Sequence, residues 1–150
     1  MIHRQFLSRC LLASTFLSVG LASAAPSIKI ENAWTRSTAP GQTVSAGYMT
    51  LINNGPTADR LLSVSASWAG MIDIHNTTLD GGVMRMREMQ DGVAVPAKSR
   101  VELKPRGIHL MIMQLSAPLE AGRSMPLLLQ FEKAGTVKVA LRVEPAGQMP

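Results

Sequence analysis

Apolar and polar residues alternate with a period of two along most of this chain after its first two dozen residues. No segment of a dozen residues keeps a clear helical stripe. Turn signals separate the alternating segments: Asn53-Asn54-Gly55-Pro56, Asp80-Gly81-Gly82 and Asp91-Gly92. This pattern predicts an all-β fold of seven to nine short strands, arranged as a β-sandwich or a Greek-key barrel.

The strand-like segments follow one another at spacings of about 8–12 residues. One of them is expected to end at His75, just before a loop formed by Asn76-Thr77-Thr78. The final residues, 145–150, are expected to form a short frayed tail. The segments that read as strands are 28–34, 44–52, 61–66, 71–75, 83–89, 109–115, 126–132 and 136–143, and the shorter segments 93–96 and 101–104 lie between them.

The N-terminus has the pattern of a secretory signal peptide. Arg4 and Arg9 form a positive region, an apolar run extends from residue 10 to 21, and Ala22-Ser23-Ala24 is a small-residue cleavage site. The apolar run is shorter than the ~20 residues that a membrane-spanning helix needs, and Cys10 stands at its beginning and not after it, which argues against a lipoprotein. We therefore expect residues 1–24 to be a cleaved signal, residues 25–150 to be one domain, and the protein to be periplasmic without stable membrane insertion.

Cleavage after Ala24 would lower the formal charge from +5 to +3. That modest excess does not indicate nucleic-acid binding, although a weakly basic rim would favour an acidic partner. Aromatic residues make up only 4% of the chain, so the core is expected to be aliphatic and rich in methionine.

The expected mature chain has two histidines, nine methionines and no cysteine. His109, Met111 and Met113 would share one face of a strand, with Leu110 and Ile112 on the other. Met84 and Met86 would likewise share a face, opposite Arg85 and Arg87, and so point inward or toward a partly covered rim. Imidazole and thioether without thiolate form a soft neutral donor set that suits Cu(I).

Each methionine also has an ordinary structural explanation, because methionine fills irregular gaps in cores. Met49, Met71, Met89 and Met125 are interpreted in this way, and Met149 falls in the tail. A lone histidine is equally compatible with a half-buried ring hydrogen-bonded to backbone. On the pattern alone, a metal site and structural histidines remain open alternatives.

A longer motif resembles the periplasmic copper(I) chaperones of the PCuAC family, whose signature is a His, ten residues, a Met, and some two dozen residues to His-x-Met. Ten residues separate His75 from Met86 here, and twenty-two more precede His109-Leu110-Met111. The sequence of residues 126–135, Pro-Leu-Leu-Leu-Gln-Phe-Glu-Lys-Ala-Gly, also resembles that family.

The resemblance implies a cupredoxin-like fold and a Cu(I) site whose ligands are His75, Met86, His109 and Met111. It also implies delivery of copper to the dinuclear centre of cytochrome c oxidase, with a Sco-type thioredoxin-fold protein as a possible partner. Two departures stand out. Arg106 occupies a turn position where glycine is common in the family. Some relatives carry a His- and Met-rich C-terminal extension for a second copper, and the ending Gln148-Met149-Pro150 means that this second site is not expected here.

Other classes fit less well. A blue-copper electron carrier needs a thiolate ligand, and the only cysteine, Cys10, lies in the expected signal. A copper enzyme is not expected, because no third histidine or nearby carboxylate pair accompanies the motif. A structural domain with purely internal methionines is a further alternative. A periplasmic copper buffer without a dedicated oxidase client needs the same site, so the sequence does not distinguish it from a carrier.

Overall fold

A computed structural model describes residues 27–147 of the chain. Within that range the chain forms ten β-strands and no helix, so no helix there is long and apolar enough to cross a membrane. The expected signal cleavage after Ala24 lies outside the described residues, as do positions 148–150 of the expected tail. The strands are β1 (Ile28–Arg36), β2 (Val44–Asn53), β3 (Asp59–Ser65), β4 (Ala69–Asp80), β5 (Val83–Glu88), β6 (Val93–Val95), β7 (Ser99–Leu103), β8 (Ile108–Leu115), β9 (Ser124–Phe131) and β10 (Gly135–Glu144).

The strands belong to one hydrogen-bonded sheet with the order β5-β4-β8-β2-β1-β10-β9-β3-β6, and β7 pairs with the second half of β2. The pairing of β1 with β10 is parallel, and the other pairings described are antiparallel. One apolar cluster includes Ile74 and Leu110 from one end of this order and Leu61 and Leu129 from the other. The sheet therefore folds back around a single core, which confirms the predicted all-β sandwich.

Strand periodicity divides β4 and β8 into a core face and an opposite face. Ile72 and Ile74 of β4 are buried, and Leu110 and Ile112 of β8 are completely buried. Because alternate residues of a strand point to opposite sides, the histidines and methionines between them point away from this core. The predicted division of residues 109–113 between two faces is confirmed.

The prediction for the chain after His75 was wrong. Asn76-Thr77-Thr78 is not a loop, because β4 continues to Asp80 and pairs with β5 from His75 to Asp80. The reversal occurs instead at Gly81 and Gly82, which have φ values of 56° and 82°, a conformation that glycine adopts without steric cost. The structure has ten strands where seven to nine were expected. Strand β4 is also longer than expected, with twelve residues.

The interpretation of four methionines as core residues was right for three of them. Met49 is buried, and Met89 and Met125 are partly buried against the core. Met71 is not a core residue, since 43% of its surface is exposed. It lies on the outward face of β4, at an odd-numbered position directly before the core residue Ile72.

Candidate metal centre

The pairing of β4 with β8 places the two histidines of the described chain side by side. His75 is directly opposite His109, and Met111 is directly opposite Asp73. On the other side of β4, Met86 of β5 is directly opposite Thr77. Since directly opposite residues share a face of the sheet, His75, Met86, His109 and Met111 all lie on the face that points away from the core.

His109 is held in a defined orientation by the turn before its own strand. Its Nδ1 lies 2.9 Å from the carbonyl oxygen of Gly107, and the ring is 5% exposed. A carbonyl can only accept, so Nδ1 must carry the hydrogen, and in the neutral ring Nε2 then has a free lone pair. Fixing one ring nitrogen through a backbone carbonyl is the usual way in which a metal-ligating histidine is oriented.

His75 has a buried polar atom without a partner. Its Nδ1 is inaccessible to solvent and makes no hydrogen bond within residues 27–147, although such an atom costs about 1–3 kcal/mol when it is left unsatisfied. The centroids of the His75 and His109 rings are 6.1 Å apart, with an interplanar angle of 73°. A metal ion bound to one nitrogen of each ring at about 2 Å would keep the centroids within roughly 6.5 Å of each other. The spacing of the two rings therefore fits a shared metal ion.

A cleft of about 510 Å³ opens beside His109. His109, Met111 and Met86 are all on its walls, together with Met84 from β5. Met84 and Met86 are 54% and 51% exposed, so the predicted position at a partly covered rim is correct and an inward position is not. The structure thus brings three of the four candidate residues into one cleft. The fourth, His75, lies directly opposite His109 on the neighbouring strand.

Two further cleft residues, Arg36 and Tyr48, were not found from the sequence, and Arg106 was found there only as a departure from the family. Arg36 at the end of β1, Tyr48 of β2 and Arg106 of the turn before β8 line the same cavity. Nε of Arg36 is buried and has no hydrogen-bond partner in the described part of the chain. Burial raises the pKa of Tyr48, and the Arg36 guanidinium acts in the opposite direction. No motif indicates Arg36 or Tyr48, because only the register of β1, β2 and β8 brings them to the site.

The donor types at this site are nitrogen and thioether sulphur. Among residues 27–147, no three or more His, Cys, Asp or Glu side chains are grouped so that they could hold a metal ion. The cleft is instead lined by the imidazole of His109 and the thioethers of Met86 and Met111, and the ring of His75 lies beside that of His109. Such a soft neutral set matches Cu(I) better than metal ions that prefer oxygen ligands.

Comparison with known proteins agrees with this geometry. The family described as "Putative lipoprotein LpqE-like", which is the PCuAC family, matches residues 28–143. The chain belongs to the PCuAC family. A curated relative from Leifsonia xyli subsp. xyli (strain CTCB07), named "Putative lipoprotein Lxx21020", is 32% identical over 120 residues, which cover 80% of this chain and 71% of the relative.

Solved structures of PCuAC domains resemble this chain closely. The copper-bound PCuAC domain from PmoF2 is 30% identical with a TM-score of 0.67, and the match covers 81% of this chain and 96% of that domain. The solution structure of CuI-DR1885 from Deinococcus radiodurans is 26% identical with a TM-score of 0.61, covering 85% of this chain and 84% of that protein. The cupredoxin-like β fold implied by the motif is therefore confirmed.

Proposed function

We propose that this PCuAC protein is a periplasmic carrier that binds Cu(I) through His75, Met86, His109 and Met111 and passes the ion to another protein by ligand exchange. The single observation that carries the proposal is the cross-strand pair of imidazoles. His75 and His109 are directly opposite each other, with ring centroids 6.1 Å apart. The structural neighbours, which include a copper-bound PCuAC domain and CuI-DR1885, support the same ligand for this chain.

The oxidation state follows from the chemistry of the donors. Two neutral imidazoles and two thioethers leave a bound Cu(I) site with one positive charge and no compensating anion. Cu(II) prefers harder nitrogen and oxygen donors in a tetragonal arrangement, so the site favours Cu(I). A thioether also cannot form a disulfide, whereas a thiolate site in an oxidising compartment is open to that reaction.

Exposure of the site supports a carrier role. Met86 lies on β5, all six residues of which are exposed, while His109 is buried. An incoming ligand from a partner can therefore replace Met86 while the imidazoles still hold the ion. Arg36 and Arg106 on the cleft wall favour a partner whose docking surface is acidic.

The proposal also covers the compartment in which the protein acts and the protein that receives its copper. The signal-like residues 1–24, together with a relative that is named a lipoprotein, support export to the periplasm. The recipient we propose is the dinuclear copper centre of cytochrome c oxidase, with a Sco-type thioredoxin-fold protein as a possible intermediate. In this role the protein binds and transfers copper and is not expected to turn over a substrate.

X-ray absorption of the Cu(I)-loaded protein tests the ligand set directly. The expected copper environment has about two nitrogen and two sulphur neighbours. A spectrum without sulphur neighbours would refute the participation of Met86 and Met111. Loading should be done anaerobically, because methionine sulfoxide no longer offers a soft thioether.

Delivery is tested separately, in cells. Deletion of the gene is expected to lower cytochrome c oxidase activity at limiting copper, and the wild-type gene should restore it. A gene carrying His109→Ala and Met111→Leu should not restore activity. Unchanged oxidase activity in the deletion strain, combined with loss of copper tolerance, would instead identify a copper buffer.

A further inference from the structure

Two methionines on the outward face of the sheet are not used by the proposed site. Met71 of β4 is directly opposite Met113 of β8. They lie on the same face as His75 and His109, since the odd-numbered residues of both strands point away from the core. Met71 is 43% exposed, and Met113 is partly exposed.

The face therefore carries three successive cross-strand pairs of potential metal donors. His75 pairs with His109, Asp73 with Met111, and Met71 with Met113. Directly opposite residues in an antiparallel pair have Cβ atoms about 4.5–5.5 Å apart. At that separation two flexible thioether side chains can place their sulphurs on one ion.

Asp73 supplies the charge that two neighbouring copper ions would need. It is half-buried on β4, directly between the levels of Met71 and His75, and no ion pair engages it in the described part of the chain. The outer methionine pair and the histidine pair are four residues apart along β4, or about 13 Å. The Asp73 carboxylate between the two levels offsets the repulsion between two monovalent ions, and solvent at the exposed part of this face screens the remainder, so two ions can occupy both places.

We propose that Met71, Met113 and the Asp73 carboxylate form a second, weaker site for Cu(I). It lies next to the first site, because Met111, a proposed ligand of the first, is directly opposite Asp73. This deepens the function proposed above and rests on it. The second site has no imidazole, and its exposed donors compete with water for the ion, so it fills after the first. Cu(I) at the second site is one side-chain position from Met111 along β8, which provides a route by which the ion reaches the first site without release.

The alternative explanation is that Met71, Met113 and the neighbouring Val44 form only an exposed apolar row. Val44 is directly opposite Met113 on β2 and is 38% exposed. Replacing methionine by leucine separates the two explanations, because leucine keeps the volume and the apolar character and removes the sulphur. A purely apolar row would be unaffected by that change.

The experiment is an anaerobic titration of the protein with Cu(I), followed by NMR of methionine methyl groups labelled with ¹³C and assigned from single Met→Leu variants. In the wild type, the Met86 and Met111 signals should shift during the first equivalent, and those of Met71 and Met113 during the second. In the variant Met71→Leu/Met113→Leu, the first step should be unchanged, and the protein separated from free copper should retain one copper ion per chain where the wild type retains two. The control Met89→Leu/Met125→Leu, at two methionines packed against the core, should keep both steps.

Three results would overturn the second site. Met71 and Met113 signals that do not move up to three equivalents, or that move already in the first step, contradict a separate weaker site. A second step that persists in Met71→Leu/Met113→Leu places it elsewhere. Failure of the proposed function is seen independently, as Met86 and Met111 signals that do not respond to the first equivalent.

Discussion

The carbonyl oxygen of Gly107 lies 2.9 Å from Nδ1 of His109. The same oxygen accepts the backbone N–H of Thr77 on β4, at 3.1 Å. One carbonyl thus connects the turn before β8, the strand that carries His75, and the imidazole of His109. The orientation of His109 therefore depends on the backbone conformation of this turn as much as on the pairing of β8.

Removing one imidazole and one thioether together should eliminate the first Cu(I) site. We expect His109→Ala/Met111→Leu to lower the Cu(I) affinity of that site by more than about a hundredfold, because even loss of an outer partner of a ligand costs 10–100-fold. Competition with a chromophoric Cu(I) chelator measures the affinity, and circular dichroism checks the fold. The control is Met89→Leu/Met125→Leu. Unchanged affinity in a folded double variant would show that the ligand assignment is wrong.

Arg106 is expected to strain the turn that orients His109. Its φ is 65°, and a residue other than glycine in this left-handed region costs roughly 1–2 kcal/mol. Arg106→Gly relieves this cost but adds flexibility to the unfolded chain, worth about 0.5–1 kcal/mol. We therefore expect the free energy of unfolding to stay equal or to rise by up to about 1 kcal/mol in urea denaturation.

A matched substitution in a strand serves as the control for Arg106. Arg87→Gly lies in β5, where the side chain is exposed and the backbone is extended, so it should lower stability by about 0.5–1 kcal/mol. If Arg106→Gly destabilised the protein as much as Arg87→Gly does, the strain at Arg106 would be disproved.

Alanine substitutions at Gly92 and Gly81 distinguish the cost of steric crowding from the cost of an unfavourable backbone conformation. Both have positive φ, but a Cβ at Gly92 would lie 2.0 Å from the carbonyl oxygen of Leu61, whereas a Cβ at Gly81 would have nothing within 4 Å. Gly81→Ala should cost about 1–2 kcal/mol from conformation alone. Gly92→Ala should cost at least about 1–3 kcal/mol more, because the backbone of β3 must shift. Equal losses in thermal denaturation would contradict the close contact between Gly92 and β3.

The ion pairs of Glu31 predict a pH dependence of stability. A hydrogen bond from Lys29 lowers the pKa of Glu31, desolvation opposes it, and Arg100 adds to the lowering. The folded-state pKa is thus below the unfolded value of about 4.3. The contribution to stability is complete above that value and is lost as pH falls through the folded-state pKa.

Glu31→Gln should therefore lower Tm at pH 7, with a difference that shrinks below about pH 4 and in high salt. Calorimetric scans at pH 7, 5 and 3 measure this. Glu132→Gln is the control, since Glu132 is exposed and forms no ion pair within residues 27–147. A Tm difference for Glu31→Gln that does not change with pH would exclude the electrostatic origin.

Much of the candidate site could be predicted because alternation along a strand is local information. The sequence around His109 places Met111 on the same face and Leu110 and Ile112 on the other, and the structure agrees. The ligand roles of these residues stay predictions. What alternation cannot supply is the register between strands that are distant in sequence. The approach of Arg36 and Tyr48 to the cleft therefore had no local signal.

The errors have a related cause. Asn76 resembles a turn residue, but its position is decided by pairing with β5 and β8 on its two sides. Met71 is apolar, so it was assigned to the core, yet its odd-numbered position on β4 puts it on the same outward face as His75. In both cases the neighbouring strands, and not the residue's own propensity, determined the outcome.

Strand β5 contributes no buried residue to the molecule, and among the ten described strands it is hydrogen-bonded only to β4. Peeling β5 away would break one ladder of backbone hydrogen bonds and would withdraw none of its own side chains from the apolar interior. The thioether of Met86 is thus attached to the segment that can detach at the lowest cost in free energy, while the imidazoles are anchored to strands that cannot. With the ligands proposed above, unzipping of this hairpin would leave the ion three-coordinate, held by His75, His109 and Met111 and open on one side to a recipient.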